Sequence, residues 1–244
     1  GAMMNSFVRI DPNNVITMLA NNSEFGNGAY TVMSMMLAEE LDVDYRSIAL
    51  EAAPTAPEYY SPLFREYLTA GSVTTGSTFI PMRTAGAKAR AMLLEAASRN
   101  WGVPTAELTT ADATVQHAAT GRSSTYGELL EAIHRLDIQP PGTVTLKDPS
   151  EFKILGKPTR RYEGAGKVDG TAEFGIDIKL PGMLYGAIAR PPVHGGSVVD
   201  FDATEALAMP GVVKVKAIRA GVVVLADSYW RAQKARAKLK INWD

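Results

Sequence analysis

The chain has 244 residues and a mass of 26.2 kDa, with 46% apolar and 21% charged residues. That balance excludes a disordered chain and leaves room for one large or two modest domains. A net charge of −1 gives no global basic field for nucleic acid, no apolar run approaches the roughly 18 residues needed to span a bilayer, and the absence of cysteine rules out disulfides, thiol catalysis and any iron–sulfur cluster held by this chain.

Gly1-Ala2-Met3 has the look of a cloning remnant outside the fold, and Met4-Asn5-Ser6 does not continue as a signal peptide. Phe7–Ile10 and Val15–Leu19 read as two strands, joined as a hairpin through the turn chemistry of Asp11-Pro12-Asn13-Asn14. Helical spacing of Val32, Met36, Leu37 and Leu41 predicts a helix over 30–41. Met33, Met35 and Met36 on it read as core filler. Glu39, Glu40, Asp42 and Asp44 read as its solvated end. A short strand over 47–50 follows. Residues 52–81 are rich in Pro, Gly, Ser and Thr and have no clear period, which is unusual in a compact domain and often functional. A strong helix is expected from Arg83 to Arg99, stopped by Gly102. Two strands, 114–117 and 123–125, flank a turn at Gly121, and a helix over 126–136 follows.

Charge then divides the chain. Residues 1–150 carry 10 Lys and Arg against 16 Asp and Glu, a net of −6; residues 151–244 carry 15 against 10, a net of +5. The shift falls near Gln139-Pro140-Pro141-Gly142 and Asp148-Pro149, so a boundary is expected within 140–155. Beyond it, strands are expected over 183–189, 212–218, 221–225 and 239–243, with a helix over 228–238. The mixture predicts an α/β or α+β domain with helices on a sheet.

Three segments have the composition of a binding site. The first, Ser23-Glu24-Phe25-Gly26-Asn27-Gly28-Ala29-Tyr30-Thr31, lies between a strand and a helix. Its glycines let backbone pass close to a ligand, the helix start offers N–H groups to an anion, and the Asn27 amide donates and accepts. The same residues also suit a plain strand-to-helix turn. The second, Gly71-Ser72-Val73-Thr74-Thr75-Gly76-Ser77-Thr78, offers hydroxyls and backbone N–H groups ahead of a helix, or simply turn residues. Arg83 beyond it reads either as a phosphate partner or as a solvated residue. The third, Gly156-Lys157-Pro158 through Lys167-Val168-Asp169-Gly170-Thr171-Ala172-Glu173-Phe174 to Leu180-Pro181-Gly182-Met183-Leu184-Tyr185, has no catalytic spacing and reads as turns before a strand. His117, His134 and His194 are too scattered for a histidine metal site. Arg160-Arg161 is internal and cannot serve as a twin-arginine export signal. A nucleotide site on Gly26 and Gly28 lacks the G-x-G-x-x-G spacing.

Taken together, the three segments resemble the molybdopterin-binding large subunit of the xanthine oxidase and aldehyde oxidase superfamily, in the isoquinoline 1-oxidoreductase type represented by its beta chain, over nearly all of residues 7–244. The third segment, with Ala226-Asp227-Ser228-Tyr229-Trp230 through Ile241-Asn242-Trp243-Asp244, is similar to that family's α/β hammerhead domain. The first resembles its E-M-G-Q-G turn, with Phe25 at the Met position and Asn27 at the Gln position. The second, with Pro81-Met82-Arg83, resembles its Ser/Thr-rich cofactor loop.

The resemblance implies an α+β chain: a partial molybdenum-cofactor-binding domain over 4–150, then a hammerhead domain over 151–244. It implies cofactor-binding roles for Gly26, Asn27, Gly28, Gly76, Ser77 and Thr78, and carries over no catalytic or metal-ligating residue. It further implies a molybdenum–molybdopterin cofactor, as the cytosine dinucleotide, and 2Fe–2S clusters in a small partner subunit. The remaining C-terminal portion of the large subunit is a further implied partner. The parent reaction would be oxidative hydroxylation of an N-heterocycle or oxidation of an aldehyde. On this basis the chain is expected to be a fragment that is not catalytic alone and exposes apolar surface. It would be periplasmic by resemblance, or cytoplasmic if it naturally has no leader. The alternative is a cofactor-free hammerhead-type scaffold.

Overall fold

Ile16, Thr17, Met18, Leu19 and Ala20 are all buried, and a strand covered on both faces needs a nearly continuous apolar run. They form the third strand of a four-stranded sheet in the computed structural model, which describes residues 1–244. The sheet runs β1 (Ala2–Asn5), β2 (Val8–Ile10), β3 (Ile16–Ala20) and β4 (Ala49–Ala52). The β2–β3 hairpin follows the sequence expectation. Strand β1 does not, because Ala2 and Met3 pair with Ile10 and Arg9 and Met4 is buried. Pairing with β2 draws the residues read as a remnant into the sheet.

Strands β3 and β4 are parallel, with Thr17 opposite Ala49 and Met18 opposite Leu50. Parallel neighbours need a crossover, supplied here by helix α1 (Ala29–Leu41). Met33, Met36, Leu37 and Leu41 on it are fully buried, as core filler requires. Helix α1 packs more extensively against α2 (Thr74–Trp101) than any other two elements pack together. The approach is close at Gly86, where a Cβ would stand 2.6 Å from the Leu37 carbonyl oxygen.

Helix α2 begins nine residues before the expected start at Arg83 and carries Pro81 inside it. The Ser/Thr-rich stretch is helical because its hydroxyls bond within the helix. Thr78 Oγ1 donates to the Thr74 carbonyl at 2.7 Å, and Ser77 Oγ to the same carbonyl at 3.3 Å. Gly102, in the left-handed region at φ 67°, ends the helix as expected.

The acidic end of α1 is not solvated. Glu39 and Glu40 are each 1% exposed. Glu40 pairs with Arg83 Nη2 at 2.7 Å, and the Arg83 guanidinium stands against the Phe79 and Phe152 rings, 5.0 and 4.8 Å from their centroids. Glu39 accepts the backbone N–H groups of Lys153, Ile154 and Leu155 at 2.8–2.9 Å. Asp42 pairs with Lys147 and with Arg90. All these partners lie far away in sequence, where helical periodicity carries no signal.

A three-stranded antiparallel sheet follows: β5 (Leu108–Ala111), β6 (Thr114–His117) and β7 (Arg122–Thr125). Helix α3 (Leu130–Arg135) is shorter than the expected 126–136, because Tyr126 turns inward and its hydroxyl donates to the Leu41 carbonyl. Residues 147–163 run back along α1, and α4 (Gly164–Asp169) closes this part of the chain.

The chain divides into compact units at Ala172/Glu173, later than the boundary expected at 150/151. The bonds from Glu39 to residues 153–155, and from Thr31 to Tyr162 and Glu163, hold 151–172 in the first unit.

The second unit, Glu173–Asp244, is rich in β-structure. It contains β8 (Tyr185–Ala189), β9 (Val198–Asp202), α5 (Thr204–Leu207), β10 (Val212–Ile218), β11 (Gly221–Ala226), α6 (Tyr229–Arg236) and β12 (Lys240–Trp243). Strands β10, β11 and β8 form one antiparallel sheet, and β12 pairs with β9. Ala232 and Ala235 of α6 are buried in small clusters with Ala187, Val224 and Ala226. Ser228 caps this helix by accepting the Arg231 N–H at 3.4 Å. Strand β9 and helix α5 carry no pattern strong enough to have been expected. No helix in the chain is long and apolar enough to cross a membrane.

Candidate functional site

Strand β3 ends in Asn21-Asn22, both buried. Asn21 Nδ2 donates to the Tyr59 carbonyl at 3.0 Å, and Asn22 Nδ2 to the Leu68 carbonyl at 2.9 Å. The Ser23 N–H donates to Thr69 Oγ1 at 2.8 Å. These bonds fasten the segment leading into α2 to the end of the sheet. They bring the first and second candidate segments together around a cleft of about 400 Å³. Phe25 and Asn27 line one side; Thr69, Ser72, Thr74 and Thr75 contribute from the other. The Phe25 ring is 68% exposed at this cleft.

Of the six residues singled out from the sequence, Asn27 lines the cleft, and Gly26 and Gly28 flank it. Gly76 and Ser77 line a neighbouring apolar groove with Pro62, Leu63, Ile80 and Pro81. Thr78 is buried, its hydroxyl bonded to Thr74 and 3.8 Å from the Met36 sulfur. The hydroxyls expected to act as one loop are thus divided between a cleft, a groove and a helix interface. Arg83, weighed as a phosphate partner or a solvated residue, is instead buried against Glu40.

The Gly26–Gly28 loop differs from its expected form. Gly26 at φ 103° and Gly28 at φ 82° take conformations that favour glycine. Their N–H groups converge as in an anion nest, but they are not free. Glu24 Oε1 accepts the Gly26 N–H at 2.6 Å and the Gly28 N–H at 3.2 Å, while Oε2 accepts the Tyr30 N–H at 3.4 Å. Asn27 Oδ1 accepts the Ala29 N–H at 3.3 Å. The Glu24 side chain is 7% exposed, with Lys167 Nζ 3.5 Å away. Burial pushes its carboxyl upward, but the N–H groups of Gly28, Gly26 and Tyr30, with Lys167, outweigh that and hold it below the ordinary glutamate value.

The third segment supplies the outer support. Arg161 Nη2 donates to the Gly26 carbonyl at 2.9 Å, Thr31 Oγ1 donates to Glu163 at 2.9 Å, and Lys167 stands between Glu24 and Glu163. Sequence reasoning missed Glu24, Arg161, Glu163 and Lys167 as parts of the site. Only Glu24 had a local signal, an acid just ahead of a helix start. No group of three or more His, Asp or Glu side chains is placed to hold a metal ion.

Residues 3–178 match the family described as "Molybdopterin cofactor-binding domain". Similar curated proteins include the beta subunit of isoquinoline 1-oxidoreductase from Brevundimonas diminuta, 32% identical over 98% of this chain and 35% of its own length. The large-chain relative from Pseudomonas putida, a nicotinate dehydrogenase component, is 30% identical over 97% of this chain and 20% of its own. The membrane-bound aldehyde dehydrogenase (pyrroloquinoline-quinone) of Gluconacetobacter polyoxogenes is 30% identical over 96% and 31%. The chain therefore spans about a third or less of the length of these relatives.

Proposed function

Because this chain belongs to the molybdopterin cofactor-binding domain family, homologous to the xanthine and aldehyde oxidases, we propose that it is part of the large subunit of a molybdenum hydroxylase. In this reading it contributes cofactor-binding surface and no catalytic group. The parent reaction is oxidative hydroxylation of an N-heterocycle or oxidation of an aldehyde. The rest of the large subunit and a small iron–sulfur subunit with 2Fe–2S clusters complete the enzyme. Residues 173–244 form its hammerhead domain, the cofactor is the cytosine dinucleotide form, and the assembly is periplasmic.

The observation that carries this reading is the cleft joining Asn27 to Thr69–Thr75. Its residues fit a heterocyclic cofactor in part. The Asn27 amide has a donor left for a ligand, the Thr74 and Thr75 side chains lie at the rim, and Phe25 offers an aromatic face. Gly26 and Gly28 shape the turn. Ser77 and Gly76 would meet the cofactor only along the adjoining groove, and Thr78 would support the helix behind it. When bound, the molybdenum cofactor supplies the redox chemistry, and this chain's residues bind and orient it.

The test is metal content. Co-expression of this chain with the remainder of its large subunit and the small subunit should give stoichiometric molybdenum, and Asn27→Ala should lower it. The chain alone should turn over no heterocycle or aldehyde with an electron acceptor. Glu24 satisfies the loop's N–H groups without any ligand, which favours a second reading, a cofactor-free scaffold. Absence of molybdenum from the full assembly would establish that one instead.

A further inference from the structure

We propose that Glu24 fills the anion position of the Gly26–Gly28 loop from within, so that the cleft beside it takes a neutral hydrogen-bonding heterocycle and turns away phosphate. The inference rests on the cofactor reading above and specifies which part of a pterin nucleotide this cleft receives. A loop with two positive-φ glycines at the start of a helix ordinarily points N–H groups at an incoming anion. Here the Gly26, Gly28 and Tyr30 N–H groups already point at a carboxylate of the same chain.

The nearby cations are engaged as well. Lys167 lies 3.5 Å from Glu24 and 3.4 Å from Glu163, and Arg161 donates to the Gly26 carbonyl and stands 3.5 Å from Glu163. Two carboxylates and two cations balance, leaving no surplus positive charge behind the loop. No lysine or arginine lines the cleft itself. What the cleft does present is neutral: the Phe25 ring, the Asn27 amide and threonine hydroxyls. An aromatic face beside amide and hydroxyl groups suits a flat heterocycle with donor and acceptor edges. A dianionic phosphate would find neither free N–H groups nor a cation, and would lose its hydration without replacement.

The probes are 6-hydroxymethylpterin and its phosphate monoester, with binding to the full chain followed through the amide resonances of Phe25, Asn27 and Thr75. Wild type should bind the neutral pterin more tightly than the ester. Glu24→Gln keeps the acceptor oxygen and removes one negative charge. It should raise affinity for the ester on the order of tenfold and leave the neutral pterin nearly unchanged, as expected when one unit charge leaves the neighbourhood of a bound anion. Lys167→Met, at a partly exposed position, should move the ester the opposite way. Equal binding of the two probes by wild type, or an unchanged ratio in Glu24→Gln, overturns the inference while leaving the cofactor reading in place. If neither probe binds any of the three proteins, the assignment of this cleft to the cofactor fails, and the inference fails with it.

Discussion

Arg161 Nη2 donates to the carbonyl oxygen of Gly26 at 2.9 Å, joining residues 135 positions apart. The bond ties the outer face of the candidate loop to the segment that crosses it. Arg161→Met should therefore loosen the loop and leave the core intact. A charge-assisted bond at a half-exposed position contributes about 1 kcal/mol, so amide exchange at Gly26 and Gly28 should quicken roughly fivefold. Hydrogen exchange by NMR would read this directly, with the Met36 and Leu37 amides of α1 as the unaffected reference.

Arg83 and Glu40 make the opposite kind of contact, a fully buried ion pair. Removing one partner strands the other charge, at a cost of about 3–5 kcal/mol. Urea unfolding of Arg83→Met should show a loss of that size. The double variant Arg83→Met with Glu40→Leu should recover most of it, because no uncompensated charge then remains. Equal losses in the single and double variants would show that the pair's charges do not set the stability.

Stability should also depend on pH through Glu24. Its folded pKa lies below the ordinary value of 4.5. Its stabilising contribution is thus fully present above that value and is lost as pH falls through the folded pKa. The margin of wild type over Glu24→Gln in urea unfolding should be largest near neutral pH and shrink in acid. A margin that is flat across this range would mean that the carboxylate charge does not hold the loop.

At Gly86 two effects compete. Alanine in a helix is favoured over glycine by about 1 kcal/mol, but a Cβ here would lie 2.6 Å from the Leu37 carbonyl and 3.0 Å from Glu40 Cβ. The nearer obstacle is backbone and cannot swing aside, so overpacking of about 1–3 kcal/mol decides the sign. Gly86→Ala should lower the melting temperature, and a rise would show that α1 and α2 can separate at little cost.

The sequence made the local features legible. The Asp11–Asn14 turn, the apolar face of α1, the Gly102 stop and the buried run at Gly221–Leu225 all follow from spacing within a few residues, and the structure contains each. Legibility ended where a residue's state depends on distant partners. Nothing near Glu39 announces the N–H groups of residues 153–155, and nothing near Asp148-Pro149 shows that the next twenty residues dock on α1. The site divides along the same line. The family pattern pointed to Asn27 and the Gly71–Thr75 stretch, which do share a cleft. It gave no hint that Glu24 would satisfy the N–H groups, because that depends on side-chain reach and not on residue type alone.

The early start of α2 governs how its hydroxyls can be used. Successive residues of a helix are turned about 100° from one another around its circumference, so Thr74, Thr75, Ser77 and Thr78 face different directions. A scan of alanine substitutions along 74–78 should produce alternating sensitivity to ligand, with stability losses concentrated at Thr78, in place of the uniform block a flexible strap would give. Any molecule lying along this flank meets only one meridian of the cylinder, and the remaining hydroxyls serve the architecture behind it.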